Sequence, residues 1–188
     1  VVKQPRKHHT WLLKAKPGQH KRDESVPLGI VVRDMLGLAV NMREAKIILS
    51  KGSVLVNGIV RKSAKFPVGL FDVIAIPEEK KAFRLLFDKK KRFVLPQIGE
   101  RERKIKLCRI VGKRAVKNSL IQLETNDGRT IRKKKSDLKP GDSVLISIPE
   151  QKVLKELRLQ KGNLVYLVGG EHAGETATVK DVLEGTMK

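Results

Sequence analysis

Phosphate recognition is the chemistry that the residue types of this chain support best. Of 188 residues, 41 are Lys or Arg and 20 are Asp or Glu, a formal net charge of +21. So much like charge resists compaction unless a polyanion neutralises it. Guanidinium and ammonium groups carry several hydrogen-bond donors each, and phosphate oxygens are suitable acceptors. The candidate contacts form three groups. Arg33, Arg43, Lys46, Lys51, Arg61, Lys62 and Lys65 are spread over one short stretch. Lys89, Lys90, Lys91 and Arg92 are consecutive. Arg129 precedes an unbroken run, Arg132, Lys133, Lys134 and Lys135. A solvated loop is the usual fate of such a run, but the regional charge favours a phosphate clamp. Nucleic acid is the leading partner class, with an anionic membrane surface as its rival.

The excess charge is not uniform. Residues 1–25 carry net +5, residues 26–76 and 77–99 carry +4 each, and residues 100–149 carry +8. The last 39 residues are electroneutral. A general solubility device would not stop at residue 149, whereas a polyanion-binding surface built from several modules would. The neutral end is expected to bind RNA more weakly than the rest and to pack on the barrel or touch a neighbouring protein.

Other chemistries find little support. The single cysteine, Cys108, excludes an intrachain disulfide framework and fits a reducing compartment. Apolar neighbours two positions away make it a core residue. His8, His9, His20 and His172 do not combine with it into a zinc spacing. His172 stands in a Gly-rich loop without an acid partner, as a polar loop residue and not a general base. There is no Gly-rich phosphate loop ending in Gly-Lys-Ser or Gly-Lys-Thr. The chain is therefore expected to be no enzyme, with no catalytic residue, metal, cofactor or small-molecule substrate. No apolar run approaches the roughly 18 residues of a membrane span. The start, Val1 to Arg6, lacks the apolar stretch of a secretory signal and an initiator Met, which suggests trimming.

The elements that must position these cations follow from periodicity. Residues 1–25 lack it and form an extended basic arm, with Trp11 either stacked on a base or anchored on the protein itself. Leu28, Val31, Val32, Met35 and Leu36 have helical spacing, with Pro27 in the first turn and Gly37 at the end. Asn41 caps a second helix, Glu44 completes a capping box, and Gly52 ends it. Ala45, Ile48 and Leu49 face inward, so Arg43, Lys46 and Lys51 face outward. Asn57-Gly58 between Val54–Val56 and Ile59-Val60 predicts a tight hairpin. Residues 71–76 form a further strand. From residue 82 the pattern is β: 83–87, a charged tip at 88–92, 93–95, 105–111, 120–123 and 143–148, with turns at a small barrel's spacing. Few aromatics, seven in all and most at core spacing, direct binding to the charged backbone of a nucleic acid, not to base stacking.

Several runs carry a resemblance. Arg33 to Ala39, Arg43 to Lys46 and Gly52 to Gly58 resemble the small RNA-binding module of bacterial ribosomal small-subunit protein four. Lys65 to Ile74 narrows this to the archaeal and eukaryotic small-subunit ribosomal protein four, a distinct family. Arg84 to Lys90, Lys106 to Arg114 and Asp127 to Arg132 resemble its central domain. Residues 161–179 resemble a KOW motif, with Gly170 and Gly174 in place and Ala177 where a third glycine is usual.

The resemblance implies an α+β, mostly β chain in four parts. These are a basic arm (1–25), a helix–helix–hairpin RNA-binding module (26–78), a central small β-barrel (79–150) and a C-terminal KOW-like β unit (151–188). It also implies a tail beyond Lys188. The function implied is a structural constituent of the small ribosomal subunit, in the cytoplasm. Its partners would be small-subunit ribosomal RNA and neighbouring ribosomal proteins, without a membrane. The alternative is a translation-associated factor that binds tRNA or ribosomal subunits transiently.

Overall fold

The computed structural model describes residues 13–21, 24–116 and 119–182. His8, His9 and Trp11 lie outside the described residues. The chain is mostly β, with a short helical region near its start. Strand β1 (Ser25–Pro27) runs directly into α1, which is α-helical over Leu28–Ile30 and widens to a π-turn over Val31–Met35. Periodicity predicts one regular helix here. The run Ile30-Val31-Val32 is β-branched and buried, a poor composition for a regular α-turn. Helix α2 (Met42–Lys51) begins as its capping residues dictate. Asn41 Oδ1 accepts from the Glu44 N–H at 2.9 Å, and Glu44 reaches back to the Val40 N–H at 2.8 Å, one residue earlier than in the usual box. Gly52 closes the helix with φ +85°. Ala45 and Leu49 are buried against α1.

Strands β2 (Leu55–Val56) and β3 (Ile59–Val60) form the expected hairpin, with Asn57 and Gly58 at φ +52° and +77°, as a type I′ turn requires. Strand β4 (Pro67–Gly69) pairs with β1. The hairpin joins β5 (Val73–Ile76), β6 (Lys81–Arg84) and, beyond a separate two-stranded unit of β7 (Leu86–Phe87) and β8 (Phe93–Val94), β9 (Gln97–Ile98). The sheet order is β3-β2-β5-β6-β9. This sheet draws strands from both sides of residue 78.

A second sheet, in the order β12-β11-β10-β13-β14, comprises β10 (Ile105–Val116), β11 (Leu120–Thr125), β12 (Thr130–Lys133), β13 (Ser143–Ser147) and β14 (Val153–Leu157). It curls around Cys108, Ile110, Leu123, Leu138, Val144 and Ile146 as a half-barrel. Turn spacing predicts a small barrel here; the sheet observed is this curled half-barrel. Strands over 83–87 and 93–95, expected as staves, are hydrogen-bonded elsewhere, β6 to β5 and β7 to β8. The free edges are bridged instead by an ion pair between Lys133 on β12 and Glu156 on β14.

The last strands, β15 (Leu164–Tyr166) and β16 (Thr176–Thr178), pair with each other and rest on the β7–β8 hairpin. The Tyr166 hydroxyl accepts from the Phe87 N–H at 2.9 Å and donates to the Phe87 carbonyl at 3.0 Å. Gly174, at φ +90°, lies so close to Asp88 that a Cβ there would sit 2.4 Å from its carbonyl oxygen. Part of the predicted arm is also seated. The Lys16 N–H donates to the Lys65 carbonyl at 2.8 Å, Gly18 lies against Pro67, and the Gln19 backbone lies against Gly128.

Candidate nucleic-acid interface

A buried charge cluster lies at the junction of the two five-stranded sheets. Strand β10 alternates in and out, and its period places Lys106 on the inner face with Cys108 and Ile110. Lys106 is 1% exposed. Its ammonium donates to Asp72 Oδ1 and to Asp127 Oδ2, each at 2.6 Å. Asp72 belongs to the turn before β5 and is otherwise saturated. It accepts from Asn57 Nδ2 at 2.8 Å and from the Gly69 N–H at 2.8 Å, and its Oδ2 lies 2.9 Å from His20 Nε2. Asp127, in the β11–β12 turn, accepts from the Thr125 hydroxyl at 2.6 Å and from Arg129 Nε at 2.9 Å. Lys106 and Arg129 thus balance Asp72 and Asp127, which is what makes burial of four charges tolerable.

Burial alone would raise both carboxyls. Lys106, with His20 and Asn57 at Asp72 and with Thr125 and Arg129 at Asp127, outweighs it and holds both below the usual carboxylate range. Burial alone would lower the Lys106 ammonium, but the two carboxylates outweigh it and raise it. The Cys108 thiol, buried and 3.6 Å from Asp127 Oδ2, is pushed up to about 12. It therefore has no thiolate character at neutral pH.

The predicted phosphate contacts divide by environment. Arg43, Lys46 and Lys51 are exposed on α2, and Lys62 and Lys65 are exposed after β3. Gly52 lies against Val60, so the end of α2 that carries Lys51 adjoins the exit of β3 that leads to Arg61 and Lys62. Arg61 is half-buried, its guanidinium 4.5 Å from the centre of the Phe66 ring. Arg33 is half-buried and holds Asp34 through two hydrogen bonds. At the β7–β8 tip, Lys89 and Arg92 are exposed but paired, Lys89 with Glu175 at 3.2 Å and Arg92 with Asp88 at 2.9 Å. Lys90 is exposed and Lys91 half-buried. The basic run after β12 is split by strand alternation: Arg132 points outward, Lys133 turns in to Glu156, and Lys134 and Lys135 are exposed beyond it. Arg129 stands apart from all of these. It is 7% exposed and committed to Asp127, which places it in the junction and away from a surface phosphate.

Sequence reasoning missed Lys106, Asp72 and Asp127 as a unit. The available signal was the position of Lys106 two residues before Cys108 on the apolar face of an alternating strand.

Residues 27–74 match the S4 domain model, and residues 70–153 match the model described as Ribosomal family S4e. Over 177 residues, 94% of this chain and 73% of the relative, the sequence is 44% identical to the small ribosomal subunit protein eS4 of Methanosphaera stadtmanae. The chain belongs to the S4e family. The eS4 protein of Archaeoglobus fulgidus is also 44% identical, over 96% of this chain and 75% of its own length. Among solved structures, the 30S ribosomal protein S4e from Thermoplasma acidophilum superimposes with a TM-score of 0.77 at 33% identity, covering 87% of this chain and 85% of that one. The S4e model spans Asp72, Lys106, Asp127 and Arg129, while His20 and Asn57, which also hold Asp72, precede it.

Proposed function

We propose that this S4e chain is a structural constituent of the small ribosomal subunit that holds ribosomal RNA through exposed cations. The observation that carries this reading is membership of a family whose relatives are named small ribosomal subunit proteins, together with an S4 domain at residues 27–74. Its partners are ribosomal RNA and neighbouring ribosomal proteins, and its place is the cytoplasmic small subunit. It is not an enzyme. Among the described residues no helix is long and apolar enough to cross a membrane.

The contacts proposed are Arg33, Arg43, Lys46, Lys51, Arg61, Lys62 and Lys65 on the helical module, Lys89 to Arg92 at the hairpin tip, and Arg132 to Lys135 at the half-barrel edge. The exposure of Arg43, Lys46 and Lys51 on one helix supports this, because each can reach a phosphate without breaking a buried pair. The β15–β16 hairpin acts as a KOW-like unit. Gly170 and Gly174, at φ +82° and +90°, support that reading, since such a loop requires them.

The test is reconstitution of the full chain with small-subunit ribosomal RNA. Arg43→Glu with Lys46→Glu is expected to weaken binding on the order of tenfold or more, with an unchanged circular dichroism spectrum. Equal affinity at physiological salt would remove α2 from the interface. Co-sedimentation with small subunits through a high-salt cushion is expected of a structural part. Release at moderate salt would instead indicate a factor that visits the subunit.

A further inference from the structure

The register of the half-barrel aligns Arg132, one of the contacts proposed above, with two side chains outside them, Arg114 and Gln122. Arg114 on β10 pairs with Gln122 on β11, and Gln122 pairs with Arg132 on β12. Cross-strand partners share a face. The neighbouring row, Lys113, Leu123 and Ile131, faces the other way, with Leu123 and Ile131 buried in the core. The row Arg114–Gln122–Arg132 therefore lies on the outer face. Both arginines are exposed, with the Arg114 side chain 74% accessible, and Gln122 is half-buried between them. At a strand spacing of about 4.8 Å the two arginine backbones stand roughly 10 Å apart.

Two further groups on this face define its chemistry. Glu124 lies 3.4 Å from Arg114 Nε. It engages one edge of the guanidinium fork and leaves the other donors free. Gly112, its cross-strand partner, leaves the space that Glu124 occupies, since a Cβ there would meet Glu124 Oε2 at 2.9 Å. The stretch from Ile105 to Ile148, which builds most of this sheet, contains no Phe, Tyr or Trp. Binders of unpaired strands present aromatic platforms for bases, and this face has none. What it offers is two cationic forks flanking an amide that can both donate and accept. That matches phosphate, ribose hydroxyl, phosphate along a backbone, the recognition mode for helical RNA.

Resting on the RNA-binding reading above, we propose that the outer face of β10–β11–β12 docks on the backbone of an RNA helix. Arg114 and Arg132 each take a phosphate, and Gln122 takes a 2′-hydroxyl between them.

The test uses the full chain and fluorescence anisotropy on an RNA duplex of about 20 base pairs, a DNA duplex of the same sequence and the single RNA strand. Arg114→Ala with Arg132→Ala is expected to weaken duplex RNA binding on the order of tenfold and to flatten its log–log salt slope by roughly 1.4 to 1.8. Gln122→Ala is expected to weaken RNA binding several-fold and to leave DNA binding unchanged. Unchanged affinity and slope in the arginine pair would overturn the proposal. Equal losses on RNA and DNA for Gln122→Ala would overturn the hydroxyl contact, and a preference for the single strand would overturn the helix. The Arg43→Glu, Lys46→Glu chain is measured alongside. If it weakens while the Arg114, Arg132 pair does not, this face alone is refuted; a wild-type chain that binds no RNA would refute the reading beneath it.

Discussion

Lys106 makes two 2.6 Å contacts at a buried position, so its removal leaves two carboxylates with only Arg129, on Asp127, to offset them. Lys106→Met keeps the length of the side chain and is expected to cost about 3–5 kcal/mol of stability by urea denaturation. The pH dependence carries a sign that separates this account from simple loss of packing. Asp72 and Asp127 are held below their unfolded values near 4. Their contribution is complete above about pH 4 and is lost as the pH falls through the lowered folded values. Lys106 is held above its unfolded value near 10.4, so its contribution is complete below about pH 10 and is lost as the pH rises through the raised value. Stability of the wild type is therefore expected to be level from about pH 5 to 9 and to fall on acidification. In Lys106→Met the carboxyls lose the charge that held them down, and burial and mutual repulsion raise them. Stability of that variant should then increase as the pH drops, which denaturation midpoints from pH 7 to 4 would reveal.

Single elements respond to local chemistry. Asn41→Ala removes the side-chain acceptor of the Glu44 N–H and is expected to cost about 1 kcal/mol, measured on the same denaturation curve. Gly174→Ala adds a Cβ at positive φ and against the Asp88 carbonyl. It should loosen the β15–β16 hairpin from β7–β8, read as faster amide exchange at Phe87, whose N–H is held by Tyr166. These elements were legible in the sequence because their signals are local. Asn41, Gly52 and Asn57-Gly58 each act within four residues, and each sits where its type predicts. The pairing of β6 with β5 was not legible, since alternation at Phe83, Leu85 and Phe87 fits a barrel stave as well as an added strand of the first sheet. Alternation also could not tell Arg129 from its neighbours, because only the folded β11–β12 turn brings Asp127 beside it.

For the whole molecule, the charge map drawn from the sequence reaches the surface with one subtraction. The helical module, the hairpin tip and the half-barrel edge do carry exposed cations, while Lys106 and Arg129 are spent on a neutral internal junction. A count of basic residues therefore overstates the surface field by the residues that hold the two sheets together. The site was legible to that extent because exposure of a long cation is the default. Lys106 is an exception because segments distant in sequence meet at it, and Arg129 because the β11–β12 turn closes on Asp127. The number of phosphates engaged is expected to appear as a steep log–log salt slope for the full chain on ribosomal RNA, roughly −0.7 to −0.9 for each. A flat profile would contradict backbone-dominated binding. The neutral end has found an intramolecular seat on the β7–β8 hairpin, where Glu175 faces Lys89.

The seating of residues 16–20 between Lys65, Asp72 and Gly128 sets an order of events during synthesis. Gly128, against which Gln19 rests, is polymerised about a hundred residues after this segment. At translation rates of about 5–20 residues per second the segment waits on the order of 5–20 s for its berth. Residues 16–20 thus settle only after the half-barrel turn that holds Gly128 has formed, and their docking reports that both sheets are in place.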